Sequence, residues 1–201
     1  MIEINGKPIL EHNINLCKDQ DIYINLHHKP EKIIKHFKDS IKYSFEKELL
    51  GTAGGVKKIF KDFNFNENFF VIYGDNYHED IDFDSIIKKS EETNSLVTIL
   101  FHHREDVENS GVAEFDDNGK ILSFIEKPKP NETTSHWVNA SVYYLDPKII
   151  DYIPEGYSDF SKDIFPLLLK NNIPIYGICT NNIVKAFDTP DMLIKNNINL
   201  D

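Results

Sequence analysis

Asp75 closes the apolar run FFVIYGD (69–75), and Asp188 closes KAFD (185–188) far downstream. In open α/β sheets, ligands bind beyond the carboxyl ends of the strands. Two carboxylates gathered there from distant strands suit Mg²⁺, which takes one or two carboxylates along with waters and phosphate oxygens. Either aspartate can also open a turn or cap a helix, Asp188 before Thr189-Pro190 in particular. Asp82 and Asp84 make an Asp-x-Asp pair, but at a predicted helix start, where capping and the helix dipole account for them.

Three further groups have chemical potential. In ELLGTAGGVKKI (48–59), Gly51, Gly54 and Gly55 surround a predicted helix start. Bare glycines and free N–H groups there admit a flat or anionic ligand, although glycines also serve close packing. The loop is not of the Walker A type, because no Lys-Ser or Lys-Thr follows a glycine at the required spacing. In EKPKP (126–130), Lys127 beside Pro128 can meet a phosphate as a point charge, or simply be solvated. Asn139, in the apolar strand WVNAS, needs a hydrogen-bond partner in protein or ligand. The adjacent pairs His27-His28 and His102-His103 point to opposite strand faces, and no His-Glu-x-x-His or Cys-x-x-Cys occurs, so zinc is not expected.

These residues need elements to carry them. Helices are expected over 8–18, 30–37 and 52–60, and strands over 21–27, 41–46 and 69–75, the last too apolar to have a wet face. FDSIIKKSEE reads as a helix and SLVTILFHH as a strand; such alternation predicts a mostly parallel sheet with helices on both faces. Beyond it come a hairpin over 111–128 turning at Asp117-Asn118-Gly119, a strand at 137–145, a helix at 160–171, two short strands, and a helix after Pro190. Residues 1–201 read as one domain without repeats.

Composition narrows the function. With 33 acidic against 22 basic residues the net charge is −11, which argues against nucleic acid as a partner. No apolar stretch approaches the ~20 residues of a membrane helix, and MIEINGKPIL is no signal peptide. Cys17 and Cys179 read as two buried thiols rather than a disulfide, and a cytoplasmic location is expected.

In their order and spacing GKPILEH, ELLGTAGGVKK, VIYGDNY, FIEKP, VNASVYYL, FSKDIFP and FDTPDML resemble the sugar-phosphate nucleotidyltransferases across nearly the whole chain. The resemblance implies an α/β, Rossmann-like three-layer sandwich around a mixed, mostly parallel sheet, and leaves room for a homodimer. It implies transfer of a nucleotidyl group from a nucleoside triphosphate to a sugar 1-phosphate with Mg²⁺, releasing pyrophosphate. Asp75 and Asp188 would hold the metal; Leu50, Gly51, Thr52 and Gly54 would lie against the nucleotide. Gly74, Glu126, Lys127 and Asn139 would receive the sugar phosphate, with Asp75 and Lys127 catalytic. Relatives that use pyrimidine triphosphates carry Gln where this chain has Glu46. An acceptor-only carboxylate suits the N–H edge of guanine, so GTP is the expected donor, as in guanylyltransferases for mannose- or heptose-1-phosphate.

The family's opening strand, its Gly-Gly-x-Gly-Thr-Arg stretch and the Lys-Pro pair that follows are not in this sequence. Lys7-Pro8 matches a later Lys-Pro, and the one arginine, Arg104, lies elsewhere. Either the natural protein starts upstream of Met1, or this relative binds sugar nucleotides without catalysis. The opening strand would normally sit centrally in the sheet, so its absence from this sequence leaves neighbouring strands with unpaired edges. A glycosyltransferase using Asp82 and Asp84 is the competing enzyme class.

Overall fold

The computed structural model describes residues 1–187. The hairpin β1 (Glu3–Ile4) and β2 (Lys7–Pro8) leads into α1 (Ile9–Leu16), followed by β3 (Tyr23–Leu26), α2 (Pro30–Phe37), β4 (Lys42–Phe45), α3 (Gly51–Phe63) and β5 (Phe69–Ile72). Next come β6 (Asn76–His78), α4 (Phe83–Thr93), β7 (Val97–His103), the hairpin β8 (Gly111–Phe115) and β9 (Ile121–Glu126), and the long β10 (Trp137–Leu145). A π-helical turn (Phe160–Ile164) runs into α5 (Phe165–Lys170), and β11 (Tyr176–Thr180) and β12 (Val184–Ala186) follow.

Local chemistry sets these bounds. Pro30 occupies the first turn of α2, where its missing N–H costs nothing. Asp82 caps α4 by accepting from the Ser85 N–H at 3.0 Å. Asn64 and Asn94, both left-handed, end α3 and α4. In the β8–β9 turn, the Asp116 carboxylate accepts from the N–H groups of Asn118 and Lys120, and Gly119 supplies the positive φ.

The main sheet runs β11-β7-β10-β8-β9, with β5 also on β10. β7 and β11 are parallel, whereas β10 is antiparallel to both β7 and β5, so β5, β7 and β11 share one direction. β3 and β4 form a separate parallel pair. The Phe65 ring lies 5.5 Å from that of Tyr23 and 5.1 Å from that of Phe69, so β3 and β5 start at the same end of the molecule. The expected mixed sheet is therefore present: among the described ladders β7–β11 and β3–β4 are parallel, while β10 pairs antiparallel with β5, β7 and β8, and β8 with β9.

β10 joins the two apolar layers. Tyr143 and Leu145 enter the larger core with Phe101, Phe160 and Phe165, while Ala140 and Val142 face Ile86 of α4. β5 departs from expectation: all four of its residues are only half-buried. Its edge away from β10 has no partner strand among the described residues, so water reaches it. The cysteines are free, Cys17 half-buried and Cys179 exposed rather than buried. The helix expected after Pro190 lies outside the described residues. No helix among them is long and apolar enough to cross a membrane.

Candidate active site

The carboxyl ends of β3, β4 and β5 form one rim. Gly74 and Asp75 sit exposed in the turn that leaves β5, closed by the Asn76 N–H donating to the Tyr73 carbonyl at 3.3 Å. Buried Asn13, on the same helix face as Ile9, holds this turn by donating to the carbonyls of Tyr73 (3.3 Å) and Asn76 (2.7 Å). β12 pairs with β6 and delivers the downstream chain to the same turn, where the Phe187 N–H donates to the Asp75 carbonyl at 3.1 Å. Asp188, the next residue in sequence, lies outside the described residues.

The start of α3 corrects one expectation. Two of its N–H groups are already engaged: those of Ala53 and Gly54 donate to the Ser158 carbonyl at 3.0 and 3.2 Å, and the Ser158 N–H donates to the Leu50 carbonyl. A Cβ at Gly51 would collide with the Ser158 carbonyl, and one at Gly54 with the Gly156 carbonyl. These glycines let the 156–158 backbone lie against the helix start, the packing role. Thr52 is also engaged, donating to Asp159 and accepting from the Phe160 N–H, each at 3.0 Å.

Glu46 is a second correction. Its carboxylate is turned inward, with the residue only 7% exposed. One oxygen accepts from Asn25 Nδ2 at 2.7 Å and the other from the Leu50 N–H at 3.1 Å. Glu46 thus ties β3, β4 and the approach to α3 together, and does not offer its acceptor edge to a base.

A polar cluster joins this region to β10. Asn139 Nδ2 donates to the Tyr143 hydroxyl at 2.8 Å and to Ser161 Oγ at 3.3 Å, while Oδ1 accepts from the Ser141 N–H at 2.8 Å. Its partners are protein groups, which answers the question its place in the strand raised. The Tyr73 hydroxyl bridges Thr52 and Tyr143. Burial pushes both phenols up, that of Tyr143 to about 12, so they remain neutral donors. Asp159 anchors the far side, accepting from the N–H groups of Ser161 and Lys162.

Glu126 ends β9 half-buried beside this cluster. Burial raises its carboxyl above the usual range and Asp159 adds to the rise, while Lys127 and Lys162 pull against it. Two lysines therefore share a field with two carboxylates. Lys127 is exposed, at φ 54°, its N–H donating to the Ser110 carbonyl at 3.0 Å. A left-handed conformation costs a non-glycine residue about 1–2 kcal/mol, and here it turns the chain out of β9.

The structure thus brings Asp75, Thr52, Asn139, Glu126 and Lys127 to one side of the sheet, through Tyr73, Tyr143 and Asp159. Sequence reading missed those three, along with Ser161, Lys162 and Asn13. Asn13 had a signal, a polar residue four positions after Ile9 on a buried stripe; the tyrosines had none, since alternation marks them as core. Asp82 accepts from both Ser85 N and Ser85 Oγ, the cap its position suggested. Arg104 is held by Asp106 and Ser110. His103, Glu105 and His136 bring their ligand atoms within 4.8 Å of one another at the surface, a grouping built from separate segments that motif spacing does not reveal.

The nucleotidyl transferase family model matches residues 1–183. The chain is 36% identical over 201 residues to a UTP–glucose-1-phosphate uridylyltransferase of Synechocystis sp., covering 89% of this chain and 51% of that protein. It is 32% identical over 210 residues to the bifunctional protein GlmU of Methanococcus maripaludis, covering 98% of this chain and 48% of that protein. It thus spans about half the length of the curated relatives it matches. Among solved structures it is similar to HddC from Yersinia pseudotuberculosis complexed with GMP-PN, with a TM-score of 0.78 and 27% identity over 97% of this chain and 86% of that one. On the match over residues 1–183, together with this fold and rim, the chain belongs to the nucleotidyl transferase family.

Proposed function

We propose that the protein transfers a nucleotidyl group from a nucleoside triphosphate to a sugar 1-phosphate. The supporting observation is the gathering, on one side of the sheet, of the Asp75 turn, the Glu126–Lys127 end of β9 and the Thr52–Asp159 cluster. A sugar-phosphate oxygen attacks the α-phosphorus in line; the bond from that phosphorus to the bridging oxygen breaks, and pyrophosphate leaves. Positioning and charge neutralisation supply most of the rate in such a reaction.

Lys127 and Lys162 meet the sugar phosphate as point charges. Glu126 accepts a hydrogen bond from a sugar hydroxyl, while Asn139, bonded within the protein, fixes the cluster behind it. Gly74 keeps side-chain bulk away from the rim. Leu50, Gly51, Thr52 and Gly54 shape the nucleotide side through the loop they hold, since the N–H groups of Ala53 and Gly54 are already engaged. One or two carboxylates are the donor set that Mg²⁺ takes; Asp75 stands at the rim, and the Phe187–Asp75 bond brings the described chain to it one residue before Asp188 in sequence. Asp75 and Asp188 would hold that ion, which supplies charge neutralisation at the phosphate oxygens.

GTP is the donor we put first, on the likeness to a structure solved with GMP-PN; the uridylyltransferase likeness makes UTP the competing arm. The test is pyrophosphate release from GTP, UTP or dTTP with glucose- or mannose-1-phosphate and Mg²⁺, beside calorimetric titration with each sugar phosphate. The expected result is pyrophosphate formed in step with a nucleotide-sugar. The absence of both turnover and sugar-phosphate binding would overturn the proposal, as would cleavage of a nucleotide-sugar without pyrophosphate.

A further inference from the structure

A polar grouping that the proposed reaction does not use lies where β7 ends and β10 begins. β7 closes with His102 and His103, whose side chains take opposite faces, His102 buried and His103 exposed. The ladder to β10 sets Trp137 opposite His103. One step further, the Arg104 N–H donates to the His136 carbonyl at 2.9 Å. This register stacks the rings of His103 and His136, with centroids 5.4 Å apart and planes 25° apart. The Trp137 ring stands edge-on to His103 at 5.6 Å, and the His136 Nδ1–H donates to the Arg104 carbonyl at 3.1 Å. Both imidazoles are therefore steadied by the sheet. Glu105 brings one carboxylate oxygen to 3.7 Å from His136 Nδ1. One ligand atom from each of His103, Glu105 and His136 lies within 4.8 Å of the others.

We propose that His103, Glu105 and His136 form a site for one divalent transition-metal ion of the Zn²⁺ class. Two imidazoles and a carboxylate are the three protein ligands of an open zinc site, with water as the fourth. Nitrogen donors suit Zn²⁺ and its late first-row neighbours, whereas Mg²⁺ takes oxygen, so chemistry separates this site from the aspartate rim. The His136 bond supplies a second argument. Donating from Nδ1 to a carbonyl keeps the proton there and leaves the Nε2 lone pair free, as metal-bound histidines commonly do. Among the described residues, no hydrogen bond occupies a ring nitrogen of His103. The nearest cation does not oppose an ion, since Asp106 lies 3.7 Å from the Arg104 guanidinium. A tetrahedral Zn²⁺ with bonds of about 2.0–2.1 Å sets its donors about 3.3 Å apart. The Glu105 side chain is 85% exposed, so its rotation and small turns of the rings close that distance without moving the ladder. A bound ion would pin the end of β7 to the chain entering β10. The inference rests on these side chains alone and stands whether or not the protein transfers nucleotides.

The test titrates Zn²⁺ into the full chain by calorimetry, with the exposed Cys179 thiol alkylated and Mg²⁺ in excess to occupy carboxylate sites. The same titration is run on His103→Ala, His136→Ala and Glu105→Gln, and on His28→Ala, an exposed histidine elsewhere. Imidazole ¹H–¹⁵N spectra of the unsubstituted chain are recorded with and without Zn²⁺. We expect one ion per chain. Losing a ligand costs at least what losing one of its outer-shell partners does, so either His→Ala change should weaken binding about 10- to 100-fold. Glu105→Gln should weaken it less, since a neutral amide oxygen still ligates, and His28→Ala should leave it unchanged. Two of the eight histidines, His103 and His136, should show shifted ring nitrogens. No saturable uptake by a chain whose circular dichroism shows it folded would overturn the proposal. So would equal affinity in both His→Ala variants, or ring shifts spread over all the histidines, the mark of adventitious binding. The spectra decide even where a variant fails to fold.

Discussion

At the residue scale, carboxylates that look alike in the sequence hold different positions. Asp75 stands exposed at the rim, Asp82 is spent on a helix cap, and Glu46 is buried in bonds to Asn25 and Leu50. Asp75→Asn should lower pyrophosphate release by about 100-fold or more, since a bound metal contributes several kcal/mol to such transition states, with the melting temperature unchanged. Glu46→Gln should behave in the opposite way. Its amide would turn N–H groups toward the donor of Asn25 or Leu50, costing about 1–2 kcal/mol of stability. The ranking of GTP, UTP and dTTP should not move; a shift toward the pyrimidines on the donor panel would restore Glu46 as the base reader.

At the element scale, α3 begins against backbone rather than against open space. Gly51 has φ 72°, and the Ser158 carbonyl occupies the place a side chain would need. Gly51→Ala should therefore cost about 1–3 kcal/mol, read as an earlier urea midpoint, because strain and displacement of the 156–158 loop add. The loop also carries Asp159, so Thr52 and Asn139 should lose their common anchor and sugar-phosphate affinity should fall with it. The same glycines, met as a string, supported ligand approach as readily as packing. Their spacing marks a helix start in both cases, and only the position of residues more than 100 places later separates the two.

At the scale of the whole molecule, pH should act through two buried histidines. Burial pulls His78 and His102 down to about 4 from an ordinary 6.5, and their mutual proximity lowers His78 further. The unfolded chain takes up these protons from about pH 6.5 downward and the folded chain only near pH 4, so stability falls as the pH drops from 6.5 to about 4 and the fall from these groups levels off below that. Each histidine contributes on the order of 3 kcal/mol to that fall. Denaturation midpoints measured between pH 7 and pH 4 should show it. Both ring nitrogens of His78 are buried without partners, so His78→Leu should flatten the curve without lowering stability at pH 7.

Elements were legible in the string because they follow from local rules. The period of apolar residues, Pro30 in a first turn and the Asn-Gly turn near 118–119 place α2, the β8–β9 hairpin and the nine-residue β10 where the structure has them. The strand-end aspartate and the order of motifs led to the family for the same reason. Partnership between distant segments is another matter. The bonds Thr52–Asp159 and Asn139–Ser161, the inward turn of Glu46 and the stacking of His103 on His136 join residues from 20 to more than 100 positions apart. No propensity or period encodes such pairings. They arise when helices and strands that each bury one face must share a single core, and that packing decides which polar groups are left facing the rim.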